Sequence, residues 1–447
     1  MKRKALLMLI LLVYAGLVHW SYEYVISPRF EYLGYTTNHP GFPTLILSMV
    51  FAVLPSTWFQ LEFRKPSDIV QWMLYTLNYI PITTLMYHVA PLDGRLVFFH
   101  IGLLGSLWLL SLFVKLPRFR IPRSGLSEPV FRAGVYLLTL GLYVYVVSVF
   151  GFRFRLIGLA DVYDVRLEYR DSLAEYGGLV AYAVSWLANV LHPLLLALGL
   201  IQRRWLMAVI SLVGQVMLFS ITGLKAVLLS GIFLVAILFT LRARGKRFGS
   251  TMVLGLSGMV TVSSVVALWF QAVLFASLFV RRFLHTSGLL TAYYLEFFSE
   301  NPKAMLGHSV LKGLVKYPYQ SSPPFVIGSA YFGSSHMSAN ANFWADAYAN
   351  FGYFGLFLFT LVLAVLLWLY DAISQGKDQR ITALVLSTPA LALGSSGLLT
   401  TMLTHGLILA LIVAYLLPSP NSHADVKGAS HCEPSKGRTP NIRSSAI

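Results

Sequence analysis

The chain has 447 residues, of which 57% are hydrophobic and only 12% are charged. That charged fraction is about half of what a soluble domain carries. The net charge of +16 would suggest a nucleic-acid partner for a soluble protein. Here basic connectors between apolar helices, which fix orientation and meet anionic headgroups, explain it better, and we expect no nucleic-acid partner. The single cysteine, Cys432, excludes a disulfide framework and a cysteine-ligated metal site.

Apolar runs long enough to cross a hydrocarbon core recur along residues 1–417. We therefore expect an all-α integral membrane protein with about 12 transmembrane helices in a single polytopic domain. The basic start before Ala5 lacks a small-residue cleavage site after the apolar run, which favours an uncleaved first span over a signal peptide. The predicted spans are 5–19, 44–61, 70–90, 95–114, 131–150, 178–200, 205–221, 224–241, 251–280, 343–370, 382–397 and 399–417.

Connectors rich in lysine and arginine alternate along the chain with connectors that carry few of them, as the positive-inside rule describes. They place both termini in the cytoplasm. Residues 418–447 are polar and rich in proline and serine, which predicts a disordered cytoplasmic tail. The outer side then holds the two long polar segments, about 151–177 and, between spans 9 and 10, 281–342. We expect these two loops to form the active-site face.

No nucleotide-binding glycine motif, zinc-protease motif or spaced cysteine–histidine set occurs in the sequence. We therefore expect neither a cofactor nor a metal. In the smaller loop, Arg166 and Arg170 stand four residues apart, so both project from one face of a helix. Paired guanidinium groups suit a diphosphate. The alternative is a solvated surface on which these arginines pair with the neighbouring acidic residues.

Lys225 stands in a tight outer turn, ITGLKAVLL, where one span ends and the next begins. A cation at this depth is a functional candidate, and the start of the next helix would add N–H donors for an anion. The alternative is a lysine that reaches to the interface from an apolar helix.

The larger loop contains His308, which can act as a neutral base near pH 7. At its end, Asn342, Asp346 and Asn350 are spaced four apart on one face of the helix that enters the membrane. A carboxylate flanked by amides can bind sugar hydroxyls or take a proton from one. The alternatives are a structural histidine and an acid that complements the helix dipole.

Four segments resemble bacterial oligosaccharide repeat-unit polymerases, the O-antigen (Wzy-type) polymerases. These are Arg166–Gly177, with an arginine and a glycine separated by ten residues; ITGLKAVLL; GHSVLKGLVKYPY with IGSAYFG; and ANANFWADAYANFGYFG. The resemblance covers most of residues 150–360 and the predicted layout of spans. One departure is Lys225, where the family often has an arginine, so the bidentate phosphate contact is lost.

The resemblance implies a polytopic bundle like those of GT-C glycosyltransferases in the bacterial inner membrane. Its partners would be undecaprenyl-diphosphate-linked oligosaccharide, membrane lipids, a chain-length regulator and a flippase. It implies polymerisation of repeat units into O-antigen, capsule or exopolysaccharide. The implied residues are His308 and Asp346 for activation of the acceptor hydroxyl, Arg166, Arg170, Lys225, Arg281 and Arg282 for the diphosphate, and Tyr319, Asn340 and Asn342 for sugar.

Three other functions stay open at this stage. An O-antigen ligase uses similar chemistry on a finished glycan. A transferase that uses a polyprenyl-phosphate sugar would place a carboxylate in the first outer loop, near Glu23 and Glu31, but that loop is short. A flippase or transporter of the same lipid-linked units would place charges at mid-depth in broken helices.

Overall fold

The computed structural model describes residues 2–154, 158, 162–244 and 247–419, and within these ranges the fold is helical and contains no β-strand. The predicted tail beyond residue 419 lies outside the described residues. The helices are α1 Lys2–Ser21, α2 Ser27–Phe30, α3 Phe42–Val53, α4 Pro66–Met73, α5 Ile80–Val89, α6 Gly94–Lys115, α7 Glu128–Phe150, α8 Val162–Tyr176, α9 Gly178–Trp186, α10 His192–Ile201, α11 Trp205–Thr222, α12 Lys225–Arg244, α13 Phe248–Trp269, α14 Val273–Phe275, α15 Thr286–Glu300, α16 Pro323–Phe332, α17 Phe343–Ile373, α18 Gln379–Ala392, α19 Leu398–Leu403 and α20 Leu407–Leu416.

Several of these helices are joined to the next helix by a π-helical segment, so the chain stays helical between them. In the described residues these segments are Tyr22–Ile26, Leu74–Tyr79, Leu187–Leu191 and Ala276–His285. Among the described residues, ten helices are long and apolar enough to cross a membrane, when helices that follow one another directly are counted as one. The chain is therefore a polytopic helical membrane protein.

Contacts between connectors define the two ends of the helical bundle. At one end, Lys65 pairs with Asp371 at 2.9 Å, and Trp368 Nε1 donates to the carbonyl of Pro117 at 2.9 Å. Arg204, at the start of α11, pairs with Glu128 at 2.5 Å at the same end. We call this end, with its lysine- and arginine-rich connectors, the basic face.

The opposite end carries the longer connectors, and we call it the loop face. There the amide of Asn38 donates to the carbonyl of His88 at 2.7 Å, which joins the connector 27–41 to the end of α5. Arg95, at the start of α6, pairs with Glu300 at 3.0 Å. Residues 301–342 therefore leave from and return to this end of the bundle.

The segment 273–300 differs from the prediction. A span over 251–280 followed by a loop was expected, whereas α13 ends at Trp269 and the chain turns at Gln271, whose φ is +54°. One helix, α14 to α15, then runs over 273–300. Arg281 packs on Phe30 and Glu300 pairs with Arg95, so both parts of this helix contact the loop face. Arg281 and Arg282 therefore belong to a helix rather than to a loop.

The core is rich in aromatic side chains, and α17 packs on α6 within it. Trp72, Tyr75 and Trp344 are almost fully buried. Gly102 in α6 permits the close approach, because a β-carbon there would lie 2.9 Å from Leu356 Cδ1. This contact holds α17, which carries the predicted acid Asp346, against the centre of the bundle.

Candidate functional site

Helix α17 begins with a short segment that folds back on the rest of the helix. Residues 351 and 352 leave the helical conformation, with φ of −136° at Phe351 and +61° at Gly352. Trp344 Nε1 donates to Thr360 Oγ1 at 3.0 Å. In a continuous helix two residues 16 apart would be separated by about 24 Å. The segment 343–350 therefore lies antiparallel beside the start of 353–373 and directs its N-terminus into the bundle.

Asn342 caps that buried N-terminus. Its Oδ1 accepts hydrogen bonds from the amides of Trp344 and Ala345, both at 3.1 Å. Its Nδ2 donates to Thr291 Oγ1 at 2.6 Å and to Ser287 Oγ at 3.1 Å. The side chain is fully buried and its amide is used by the fold. A sugar contact at Asn342 therefore has no support in this conformation, and its role here is that of a helix cap.

Asp346 lies on the first turn of the same segment, directly against Gly397. A β-carbon at Gly397 would collide with the Asp346 carboxylate, so only glycine leaves room for the acid there. The residue is only partly exposed, and among the described residues no hydrogen bond or ion pair reaches its carboxylate oxygens. An uncompensated acid within a membrane protein is expensive to keep, which favours a functional role.

Asn350 connects Asp346 to the loop that carries His308. Its Nδ2 donates to the carbonyl of Asp346 at 2.8 Å, and its Oδ1 accepts from the amide of Leu306 at 2.8 Å. The amide of Met305 donates to the carbonyl of Asn350 at 3.2 Å. Met305 and Leu306 both have positive φ, at 51° and 55°, a conformation that costs non-glycine residues energy. The hydrogen bonds to Asn350 therefore hold the strained backbone of Met305 and Leu306 close to Asp346.

His308 is half-buried and neutral near pH 7. Burial lowers the pKa of its imidazole below the ordinary value, because removal from water disfavours the charged form. Its Nδ1 is buried and has no hydrogen-bond partner, and its ring lies 5.5 Å from that of Tyr317. A neutral imidazole with an unpartnered nitrogen can accept a proton.

Two tyrosines lie near the predicted catalytic residues. The Tyr294 hydroxyl donates to the carbonyl of Ala339 at 3.1 Å and is within electrostatic range of both Asp346 and Tyr317. Tyr317 in turn contacts His308. His308 and Asp346 are therefore parts of one cluster at the loop face, which we call the acid–histidine cluster and define as Asp346, Tyr294, Tyr317, His308 and Asn350.

The other predicted sugar contacts lie nearby but are differently placed. The Tyr319 hydroxyl donates to the carbonyl of Pro302, and its ring packs 5.9 Å from that of Phe298. Tyr319 therefore stabilises the larger loop through this hydrogen bond and through packing with neighbouring aromatic rings. Asn340 is exposed and accepts a hydrogen bond from Ser338 Oγ at 3.0 Å. Of the predicted sugar-binding residues, Asn340 thus has the most accessible amide.

Lys303 is a cation that sequence reasoning missed. It is half-buried, its Nζ donates to the carbonyl of Phe298, and it lies 4.2 Å from the centre of the Tyr348 ring. Burial lowers the pKa of its ammonium group to about 8. It lies against the fold-back turn, since a β-carbon at Gly352 would be 3.4 Å from its Cε. No local pattern separates this lysine from Lys312 and Lys316 in the same loop.

The backbone of Arg166 lies against the turn that precedes Lys225. Gly223, two residues before Lys225, has φ of +63°, and a β-carbon there would lie 3.3 Å from the amide nitrogen of Arg166. The alternative prediction for Arg166 and Arg170 was a solvated surface on which they pair with neighbouring acids. The structure shows such a pair only for Arg170, with Asp171 at 3.7 Å, while Glu168 pairs with Arg153 at 2.6 Å. Arg166 is exposed and has no ion pair among the described residues.

Arg281 and Arg282 have different surroundings. The guanidinium of Arg281 lies 4.5 Å from the centre of the Phe30 ring and 5.7 Å from that of Tyr35, and it donates to Ser277 Oγ at 2.9 Å. Arg281 therefore holds the first loop-face connector in place. Arg282 is exposed. In the described part of the chain, no hydrogen bond, ion pair or ring contact joins these two arginines to the Arg166–Lys225 turn.

Histidines within the helices form a separate hydrogen-bonded chain. His19 Nδ1 lies 2.9 Å from His88 Nε2, His19 Nε2 lies 2.8 Å from Ser48 Oγ, and Thr37 Oγ1 lies 3.0 Å from His88 Nδ1. Ser48 Oγ donates onward to the carbonyl of Thr83 at 2.9 Å. His88 is thereby a buried core residue whose partners no sequence spacing could identify.

No group of three or more histidine, cysteine, aspartate or glutamate side chains within the described ranges could hold a metal ion. Comparison with known proteins adds no assignment: no protein-family profile, no curated protein and no solved structure matches this chain. The functional conclusion therefore depends on the geometry of the loop face.

Proposed function

We propose that the chain is a glycosyltransferase that polymerises oligosaccharide repeat units linked to undecaprenyl diphosphate. The observation that carries this proposal is the uncompensated Asp346 carboxylate, connected through Asn350 to the loop of the neutral His308. The same face carries Arg166 and Lys225, cations without an acidic partner among the described residues. An acid or base for a hydroxyl and cations for a leaving diphosphate are what this reaction needs.

We place the reaction on the outer side of the bacterial inner membrane, with about twelve crossings and both termini cytoplasmic. Helix 273–300 counts as an extracytoplasmic helix in this topology, because both its parts contact the loop face. Residues 66–89 count as a crossing, because Lys65 lies at the basic face and His88 at the loop face. Chain-length regulators and flippases would be its partners.

In the proposed reaction, a hydroxyl of the incoming repeat unit attacks the anomeric carbon of the growing chain. The new glycosidic C–O bond forms as the bond from that carbon to the diphosphate oxygen breaks. The hydroxyl proton passes to His308 or to Asp346. The electron pair of the broken bond leaves with the diphosphate, whose charge Arg166 and Lys225 stabilise.

Packing supports Arg166 and Lys225, rather than Arg281, as the diphosphate ligands. Helix α8, which carries Arg166, packs on α9. Trp186 at the end of α9 donates to the carbonyl of Leu403 in α19 at 3.0 Å. Helix α19 begins next to Gly397, which contacts Asp346. A continuous set of packed elements therefore joins the Arg166 turn to the acid–histidine cluster.

A ligase that transfers finished glycan from the same carrier is the second candidate, because the same cations and the same base would serve it. A test that separates the two uses cells that lack the protein and are complemented with Arg166→Ala or Lys225→Ala. Polymerase function predicts single repeat units and no polymer ladder. Ligase function predicts full-length polymer that stays on the carrier.

The matched control is Lys312→Ala, a change at an exposed lysine of the larger loop. It should leave the glycan unchanged, and all variants should reach the membrane in similar amounts. A normal ladder from both Arg166→Ala and Lys225→Ala would refute the diphosphate assignment.

A further inference from the structure

A basic cavity lies at the basic face, at the opposite end of the bundle from the loop-face residues. Its volume is about 420 Å³. It lies between the connector 116–127 and the turn after α17. The lining includes the cations Arg120, Arg123 and Lys377 and the side chains of Ile121, Ile373 and Tyr415, and it includes no acidic residue.

Hydrogen bonds fix the connector that supplies the two arginines. Trp368 Nε1 donates to the carbonyl of Pro117 at 2.9 Å, and Gln375 Nε2 donates to the carbonyl of Phe119 at 2.9 Å. The Phe119 ring also packs 4.7 Å from that of Trp368. Arg120 and Arg123 therefore lie on a connector that hydrogen bonds hold against α17.

Lys377 forms the floor of the cavity. It is only 8% exposed and donates to the carbonyls of Ala414 and Tyr415, the latter at 2.7 Å. An ammonium group has three N–H donors, so one remains for a ligand. Burial, followed by the nearby charge of Arg123, lowers the pKa of this lysine to about 8. An anion in the cavity would offset both effects.

Neighbouring acids do not neutralise these cations. The carboxylate of Asp371 is fully buried and is occupied by Lys65 at 2.9 Å and by the Ser67 hydroxyl at 2.6 Å. Asp378 pairs with Arg380 at 2.7 Å. The cavity lining therefore keeps an excess of positive charge.

We propose that this cavity binds a phosphate group, supplied either by the headgroup of an anionic lipid or by a phosphorylated solute. Two guanidinium forks and one ammonium group match the oxygens of a phosphate. The cavity lies at the ends of membrane-spanning helices, where lipid headgroups are found, and Ile121 and Ile373 offer contact for an apolar part of the ligand.

The test measures binding of two probes, inorganic pyrophosphate and dihexanoyl phosphatidylglycerol, to the purified full chain in non-ionic detergent at fixed ionic strength. The variant Arg120→Gln with Arg123→Gln removes two cations of the cavity. Arg118→Gln is the matched control, because Arg118 is exposed on the same connector but does not line the cavity. Both changes affect exposed side chains, and thermal unfolding verifies that the variants fold.

We expect the double variant to weaken binding at least about tenfold and the control to change it less than about twofold. Binding of pyrophosphate supports a phosphorylated solute, and binding of the lipid alone supports a headgroup. The proposal is overturned if neither probe binds the unmodified chain at millimolar concentration, or if the control weakens binding as much as the double variant does. None of these outcomes involves a residue of the proposed polymerase site.

Discussion

Two aspartates of α17 provide the sharpest test of the site, because they carry the same chemical group in opposite surroundings. The carboxylate of Asp346 has no hydrogen-bond or ion-pair partner among the described residues. Asp371 is fully buried and accepts from the Ser67 amide at 3.0 Å and from the Ser67 hydroxyl, besides its ion pair with Lys65. Each is replaced by asparagine, which keeps the shape and removes the charge.

The structure predicts opposite results for the two variants. Asp346→Asn removes no stabilising contact and relieves an uncompensated charge, so the free energy of unfolding should fall by less than about 1 kcal/mol or rise. If Asp346 takes or holds a proton in the reaction, polymer formation should fall by about 10²–10⁴-fold. Asp371→Asn leaves the largely buried Lys65 side chain without its partner and should cost about 3–5 kcal/mol.

The measurements are the thermal unfolding midpoint of each purified variant in detergent and the polymer ladder of cells that express it. Asp371→Asn should lower the midpoint by on the order of 5 °C or more. A ladder retained by Asp346→Asn would refute the catalytic role of Asp346. Unfolding of Asp346→Asn as early as Asp371→Asn would also refute it, because Asp346 would then be a structural residue.

Three further predictions follow from single residues. Burial lowers the pKa of His308, so its neutral, basic form persists as the pH falls through 6.5. Turnover measured against pH should therefore stay level near pH 6.5 and fall only below the lowered pKa of His308. The variant His308→Gln should abolish that fall. Arg166→Ala should remove the ladder without changing the unfolding midpoint, whereas Arg281→Ala should lower the midpoint, because its contact with the first loop-face connector is lost; the opposite pattern would exchange their roles. Gly352→Ala forces a β-carbon into a backbone with φ of +61° and ψ of −145°, a region adopted almost only by glycine, and should cost about 1–3 kcal/mol in the free energy of unfolding; an unchanged midpoint would argue against the fold-back of α17.

Hydropathy was sufficient to predict most membrane-spanning helices but not where two long apolar stretches change direction. The stretch 251–280 contains no proline or glycine after Gly258, so nothing local marks the turn at Gln271. The fold-back at Gly352 was likewise invisible, because the apolar residues continue on both sides of it. Both turns are fixed by tertiary contacts, which composition cannot report.

Spacing was informative where the candidate residues share one helix and uninformative where residues are brought together from distant parts of the chain. The four-residue period placed Asp346 and Asn350 on adjacent turns, and the Asn350–Asp346 hydrogen bond follows from that spacing. Asn342 was predicted to bind sugar, although an asparagine just before an apolar helix is also the signature of a cap. Lys303 and the His19–His88 contact depend on packing between distant segments, so sequence alone offered no signal for them.

The most direct test of polymerase function uses the purified protein in liposomes with one substrate, repeat units linked to undecaprenyl diphosphate. The proposed reaction predicts a ladder of products that differ by one repeat unit, with one undecaprenyl diphosphate released for each new linkage. Liposomes containing the Asp346→Asn variant should give neither. Intact single repeat units after incubation with the unmodified protein, or their transfer to the other leaflet without new linkages, would contradict a polymerase.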